Sequence, residues 1–372
     1  MTAQAQDQRA GDVVVLDPTL PNPVGLNPLA EVGDQGPLVA DSILTIFKNL
    51  FPSAFGPRTS DAIHASLLTL ARRDGSTLAD LPRLLTDERF RREFTADIDD
   101  ATLAGFWAQY NAMKPANQAA TIGPILTRLR QFLLRPGVRA VLDQAAPRFA
   151  LGDLFAKPRI FIVTLNKGLV GPQAAALLGS LVVSQLWHLI LGRAAVPKGK
   201  RTPVSIFLDE AQTFLHLDTD LGEALEQSRS MGAAWHLAHQ HRGQMPTNLL
   251  AGISANTRNK IQFAADPIDA QVVARHSRLE PQDIIKLGPF EAYVDVLNNG
   301  TQTGWFSVRT LPPPAALSNP DLILAESQAR YGQLDQPDDL SDAARPAAPA
   351  VVLESLEVEG DEPVGRVRKA AP

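Results

Sequence analysis

The second half of this 372-residue sequence alternates short apolar runs with longer helical patterns, and this alternation limits the fold more than any other feature. The runs and the patterns follow one another in the order 159–165, 171–193, 204–208, 221–231, 233–238, 249–256, 260–264 and 266–278. The runs are largely apolar along their length rather than at every second position, as strands buried on both faces are. The sequence therefore predicts an α/β fold with a parallel sheet flanked by helices.

A strand near the start of the sequence indicates that a second domain interrupts this sheet. The apolar run Val13–Leu16 is closed by Asp17-Pro18. Residues 38–155 then show only helical periodicity, and strand-like runs return at residue 159. The simplest arrangement is one parallel sheet with an all-α domain inserted after its first strand.

This arrangement divides the sequence into segments. They are a first strand and loop at 1–37, the inserted all-α domain at 38–155, the rest of the α/β core at 156–311 and a tail at 312–372. The core closes with a β-hairpin around Asn298-Asn299-Gly300, which suits a tight turn. The tail is acidic and rich in alanine and proline, so we expect it to be mostly disordered, with one helix at 322–331.

Composition and charge exclude several kinds of protein. The formal net charge of −5 gives no overall basic character, so any contact with DNA needs a local patch. The absence of cysteine excludes disulfides, thiol catalysis and cysteine-ligated zinc. The longest apolar stretch, 174–191, contains polar residues and predicts a buried helix rather than a transmembrane segment. We find no signal peptide and expect a cytoplasmic protein, either free or peripheral to the inner membrane.

Two carboxylates follow the strand at 204–208, at the edge where open α/β sheets bind their ligands. In a nucleotide-hydrolysing site, Asp209 is suited to hold Mg²⁺ through water and Glu210 to polarise the attacking water. Gln212 is a further candidate for binding the nucleotide, beside Asp209. The ordinary alternative is that either carboxylate only caps the next helix.

A polar residue, Gln240, also follows the strand at 233–238. Parallel strands end at the same edge of a sheet, so we expect Gln240 beside Glu210, where it would sense the γ-phosphate or the attacking water. A simple turn residue is the alternative. The spacing of His236, His239 and His241 is that of a metal site, but no carboxylate or cysteine is in register with them, and we expect no metal there.

Residues 232–272 resemble a known family in the order of their parts. The parts are a strand ending in Gln240, a helix reaching Asn256, Lys260 ahead of Ile261 and Phe263, and a helix start at Asp269-Ala270. This order is similar to the segment after Walker B in FtsK–HerA translocases and in TraG/TraD-type coupling proteins with a TraM-recognition domain. Three further segments resemble other parts of proteins in the same group, namely VVVLDPTLPNPVGLNPL, the helical block and IFIVTLNKG. The likeness therefore covers roughly residues 13–310.

The resemblance implies a RecA-like motor that uses ATP and Mg²⁺ to translocate DNA in conjugation or type IV secretion. Such motors form homo-oligomeric rings and work with secretion or relaxosome proteins. In a ring, a basic residue of one subunit stabilises transition-state charge in its neighbour. Lys260 matches the family's basic position, and Arg258 and Arg229 are further candidates. The alternative for each is an ordinary surface charge.

The sequence departs from the family in one motif. The group carries GxxxxGK[ST] before the strand matched here by Val13–Leu16, and residues 1–372 do not contain it. Without its backbone amides and lysine, we expect this chain alone to bind ATP weakly or not at all. A truncated reading frame, a P-loop on another polypeptide and a degenerate copy all remain open.

Two other functions compete with a motor. The first is a non-catalytic ring subunit or adaptor, which would bind partners without hydrolysing ATP. The second is an unrelated dinucleotide-binding enzyme, which needs a glycine-rich loop after the first strand. The sequence has DPTLPNP at that point, so it does not favour the second.

Overall fold

The computed structural model describes residues 9–30, 35–215, 221–245, 247–316 and 318–333. The strands are β1 (Val13–Leu16), β2 (Ile160–Val163), β3 (Val204–Leu208), β4 (Ala233–Leu237), β5 (Lys260–Gln262), β6 (Glu291–Asp295), β7 (Leu297–Asn298), β8 (Thr301–Gln302) and β9 (Phe306–Arg309). The helices between β1 and β2 are α1 (Gly36–Leu50), α2 (Pro57–Ala71), α3 (Leu81–Thr86), α4 (Glu88–Thr95), α5 (Ala101–Ala112), α6 (Pro115–Leu133), α7 (Pro136–Leu142) and α8 (Asp153–Ala156). The later helices are α9 (Lys167–Val170), α10 (Pro172–Gly192), α11 (Leu221–Ser230), α12 (Thr247–Asn256), α13 (Pro267–Ser277), α14 (Pro281–Ile285) and α15 (Pro320–Tyr331).

The chain between β1 and β2 is helical wherever it forms regular structure in the described residues. Its helices bury apolar faces against one another, and Phe47, Ile63 and Ile125 are almost completely inaccessible. Prolines at the first turns of α1, α2, α6 and α7 suit these starts, because the first amides of a helix need no partner within it.

The strands do not form the single parallel sheet that the sequence predicts. β1 is parallel to β2, and β3 is parallel to β4, but no ladder joins β2 to β3 in the described part of the chain. β5, which we expected to be parallel, pairs antiparallel with β6, and β6 pairs with β9. β5 is short and takes its backbone partners from the hairpin that follows it. The protein is thus mixed α/β, mostly helical, with small sheets.

Helix α10 is the longest helix of the core and connects β2 to β3. It is the single helix in the described residues that is long and apolar enough to cross a membrane, and 78% of its most apolar window is buried inside the protein. This burial agrees with a core helix. Helix α11 connects β3 to β4 and contacts α10.

The end of the described chain returns to the first strand. Helix α15 lies against β1, where Val15 N donates to Ser327 Oγ at 2.8 Å and Tyr331 OH donates to Gly11 O at 3.0 Å. The helix that we predicted at 322–331 is therefore present as α15, and it packs against the first strand. Residues 334–372 lie outside the described residues.

Candidate functional site

The β3–β4 ladder continues past both strands and sets the positions of the residues that follow them. Ala238 N donates to Leu208 O at 2.9 Å, and Ala211 N donates to Ala238 O at 3.0 Å. Asp209 and Glu210 therefore leave β3 at the edge where Gln240 leaves β4.

The backbone of Glu210 is left-handed, with φ 50° and ψ 48°. Non-glycine residues rarely adopt this conformation, and it costs roughly 1 kcal/mol. Glu210 N donates to Asp209 Oδ1 at 2.9 Å, and a 3₁₀ turn, Ala211–Thr213, follows at once. The tight turn directs the Glu210 side chain towards the neighbouring strand ends.

The Glu210 carboxylate contacts residues from two other strand ends. Lys167, which follows β2, forms an ion pair with Glu210 Oε2 and lies 3.4 Å from Thr213 Oγ1. On the other side, Gln240 Nε2 lies 3.5 Å from Glu210 Oε1, a long hydrogen bond. The ends of β2, β3 and β4 thus meet at Glu210.

Lys167 was not among the residues that the sequence singled out. It sits in the loop IFIVTLNKG, where the Asn166 side chain accepts from Gly168 N at 2.9 Å and caps the short helix α9. Lys167 also follows a predicted strand, at 159–165, and this position is the signal that could have found it.

The donors at this edge suit a hydrated magnesium ion. Asp209 is exposed, Glu210 is half-buried, and both offer carboxylate oxygens, which Mg²⁺ prefers. Gln212 lies in the 3₁₀ turn and is half-buried. The described residues include no glycine-rich loop that would hold the phosphates of a nucleotide. The arrangement fits a metal and a water, but it supplies only part of a nucleotide site.

The three basic candidates are all exposed. Arg229 is exposed in the last turn of α11, ahead of β4 and so at the opposite end of that strand from Gln240. Arg258 and Lys260 are exposed at the start of β5. Within the described residues, none of the three side chains forms a hydrogen bond or an ion pair with Glu210.

The three histidines occupy different surroundings in the described structure. The His236 ring is stacked on Phe207, with centroids 4.2 Å apart. His239 is half-buried, and burial, followed by the charge of Arg242, lowers its pKa although Asp269 opposes this. His241 Nδ1 lies 3.5 Å from Asp266 Oδ2. These positions do not converge on one ion.

His241, Asp266 and Asp269 do bring ligand atoms within 4.8 Å of one another. Both carboxylates already have structural roles. Asp266 caps α13 by accepting from Ile268 N and Asp269 N, and the bond from Asp269 N is the largest cause of its lowered pKa. Asp269 Oδ2 accepts from Arg242 N at 3.0 Å. This cluster is explained by the cap of α13 and by its hydrogen bond to the loop that follows β4.

The fold is mixed α/β, with polar residues that meet at adjoining strand ends. No protein-family model matches the chain, and no curated protein sequence matches it. Among solved structures, it is similar to the bacterial conjugative coupling protein TrwB in its unbound form, with a TM-score of 0.60 and 13% identity over 83% of this chain and 76% of that chain. Over the same shares of both chains, TrwB with ADP and Mg²⁺ has a TM-score of 0.58 and 14% identity. TrwB with the ATP analogue ADPNP has a TM-score of 0.58 and 15% identity. The likeness establishes the fold.

Proposed function

We propose that this chain is a subunit, or part of a subunit, of an ATP-driven motor that translocates DNA in conjugation or type IV secretion. The observation that carries the proposal is the meeting of Glu210 with Gln240 and Lys167 at adjoining strand ends, in a fold similar to TrwB. In this proposal the strands belong to a RecA-like core, and the helical region between β1 and β2 is the inserted domain.

Each residue of the group has a role in hydrolysis. Asp209 would hold Mg²⁺, and Glu210 orients and deprotonates the attacking water. Gln240 contacts the γ-phosphate and reports its loss to β4. Lys167 holds the Glu210 carboxylate in place. Bound ATP supplies the phosphoryl group, and the structures of TrwB with ADP and Mg²⁺ and with ADPNP support nucleotide as the ligand of this fold.

A homo-oligomeric ring gives the exposed basic residues a function. Lys260, Arg258 and Arg229 are exposed, and within the described residues none of them pairs with Glu210 of its own chain. In a ring, such a side chain can reach the site of a neighbour and stabilise charge there. DNA would pass through the ring, in the cytoplasm or at the inner membrane, with relaxosome or secretion proteins as partners.

The second candidate is a non-catalytic ring subunit or adaptor. Two observations favour it. The sequence contains no GxxxxGK[ST], and the Glu210 carboxylate is already paired with Lys167. Such a subunit would keep the fold and its partners without hydrolysing ATP.

ATP hydrolysis by the chain, with and without any in-frame sequence encoded upstream of Met1, separates the two candidates. For the motor, we expect the extended protein to hydrolyse ATP and Glu210→Gln to lower kcat by roughly 10²-fold or more. Glu226→Gln, an exposed glutamate of α11, is the matched control and should leave the rate unchanged. An active extended protein that is insensitive to Glu210→Gln would refute the role of Glu210. An upstream sequence without GxxxxGK[ST] favours the adaptor.

A further inference from the structure

A cavity of about 580 Å³ lies where the helical region between β1 and β2 meets α10. Its lining comes from the loop that follows β1, from Val39 of α1, from the loop between α7 and α8, and from Gln185 and His188 of α10. Sites for small molecules have volumes of about 300–1,000 Å³ and are common at junctions between domains. The size and the position of this cavity are therefore those of a binding site.

Hydrogen bonds hold the walls of this cavity in place. Asn27, which is 4% exposed, donates through Nδ2 to Ser76 O at 2.9 Å and to Ala145 O at 3.3 Å. The loop after β1 is thereby tied to the loop after α2 and to the loop after α7. On the opposite wall, His188 Nε2 lies 2.7 Å from Ser42 Oγ and ties α10 to α1. The cavity is thus formed by walls that are already fixed, which lowers the cost of binding.

One buried acceptor in the lining has no partner. Gln185 Nε2 donates to Asn27 O at 3.1 Å, whereas Gln185 Oε1 is buried and accepts no hydrogen bond within the described residues. A backbone carbonyl only accepts, so the amide nitrogen of Gln185 must face Asn27 O, and the oxygen is the atom left over. Buried polar atoms without a partner are costly and rare. A molecule that fits here therefore offers an N–H or O–H group to Gln185 Oε1.

The rest of the lining suits a flat apolar body without negative charge. Phe149 and Phe161 both line the cavity, with ring centroids 5.3 Å apart and planes inclined by 35°. Asp74 is the one carboxylate among the described lining residues, and none of these is a lysine or an arginine. An anion would meet the Asp74 carboxylate and the oxygen of Gln185 without a fixed positive charge, so the lining disfavours it.

We propose that this cavity binds a small aromatic molecule that carries an N–H donor and no negative charge. The ring lies against Phe149 and Phe161, and the N–H donates to Gln185 Oε1. This site goes beyond the proposed motor function and does not depend on it, because Glu210 and Gln240 do not line the cavity. The bound molecule contacts the helical region and α10 at once, and it stabilises their junction by mass action.

A segment of the chain itself is the alternative occupant. Residues 31–34 lie outside the described residues and connect Ala30 to Gln35, which both line the cavity. A backbone amide from this segment, or from sequence encoded ahead of Met1, would also satisfy Gln185 Oε1. Against this, Ala146 and Ala150 of the lining are exposed, so the cavity opens to solvent. A segment that fills the cavity excludes every added molecule, and binding of a probe separates the two occupants.

Matched probes test the donor and the charge in turn. Indole and indene have nearly the same shape, but only indole has an N–H, whereas tryptamine and indole-3-acetate differ in the sign of their charge. Each is titrated into the full chain, and ligand-observed NMR measures the Kd. We expect a Kd for indole of about 1 mM or tighter, as for a well-placed ligand of this size. Indene should bind about 5-fold more weakly than indole, and indole-3-acetate about 5-fold more weakly than tryptamine.

Three variants locate the binding. Gln185→Met keeps the length of the side chain and removes the acceptor, so it should bind indole and indene equally. Ala146→Trp fills the cavity from its exposed side and should abolish binding of both. Ala120→Trp, at an exposed position of α6, is the matched control and should bind as the unchanged chain does. Unchanged thermal unfolding without a probe shows that each variant is folded.

Four results overturn the proposal. Equal binding of indole and indene by the unchanged chain would mean that water satisfies Gln185 Oε1. Tighter binding of indole-3-acetate than of tryptamine would contradict the preference against anions. Binding that persists in Ala146→Trp would place the probe elsewhere on the protein. A chain that binds none of the four probes has a cavity that is filled or closed in solution.

Discussion

The Lys167 ammonium contacts the Glu210 carboxylate and so joins the end of β2 to the end of β3. No ladder connects these strands in the described structure, so the pair links two strand ends that are not neighbours in a sheet. The two side chains are 40% and 35% exposed, so water screens their attraction. The pair therefore positions the carboxylate more than it stabilises the fold.

A double-mutant cycle of Lys167→Met and Glu210→Gln checks this conclusion. We expect a coupling energy below about 1 kcal/mol from urea unfolding, as for other solvent-exposed pairs. Lys157→Met with Asp153→Asn, an exposed pair of α8 and its flank, is the control cycle and should give a similar value. A coupling of about 3 kcal/mol or more would instead show a pair that behaves as buried.

Replacing left-handed residues by glycine separates backbone strain from function. Arg278, which ends α13 at φ 62°, has no ion pair among the described residues, so Arg278→Gly should raise the free energy of unfolding by roughly 1 kcal/mol. Glu210→Gly should gain a similar amount of stability from the backbone but lose the contacts with Lys167 and Gln240. The free energy of unfolding of this variant should therefore change little. Arg275→Gly within α13 should cost about 1 kcal/mol. Urea unfolding measures all three, and a stability loss for Arg278→Gly would contradict the prediction.

The sequence predicted the elements of the core better than their pairing. β3 has the predicted bounds, and α10 and β4 differ from prediction by about one residue, because an apolar period identifies an element from its own residues. Which strands pair depends on residues far apart in the chain. The antiparallel pairing of β5 with β6 and the lack of a ladder between β2 and β3 in the described residues were therefore not predictable from local patterns.

The site was predictable to the same extent. Glu210 and Gln240 were placed together by the rule that parallel strands end at one edge, and that rule needs only the sequence. Lys167 also follows a predicted strand, but its partner Glu210 lies 43 residues away in the sequence, so its role was not evident from local patterns. The roles of Lys260, Arg258 and Arg229 depend on a neighbouring subunit, which a single chain does not contain.

Ser327 tests whether α15 belongs to the core. Its hydroxyl accepts from Val15 N and is 1% exposed, so Ser327→Ala should leave a buried amide without a partner and cost about 1–3 kcal/mol. Ser66→Ala is the matched control, because Ser66 Oγ donates to Ala62 O within its own helix. Urea unfolding should show the smaller loss for the control. Equal losses would mean that the contact of α15 with β1 contributes little.

His239 should make stability depend on pH. Burial lowers its pKa in the folded protein, so between the folded and unfolded pKa values the unfolded chain binds more protons. The stability linked to neutral His239 is complete above the unfolded pKa of about 6.5 and is lost as the pH falls through the folded value. His239→Gln should reduce the loss of stability between neutral and acidic pH, whereas His276→Gln, at an exposed position, should not. Parallel urea titrations of the three proteins provide the measurement.

Phe207 gives the clearest contrast between a buried and an uncovered aromatic residue. It is 72% exposed and stacks only on His236 within the described residues, so Phe207→Ser in the isolated chain should cost less than about 1 kcal/mol. Replacing Phe47, which is 1% exposed, by alanine should lower the free energy of unfolding by about 3–5 kcal/mol. Urea unfolding of the two variants measures both effects, and a large loss of stability for Phe207→Ser would show that this side of the sheet is already covered.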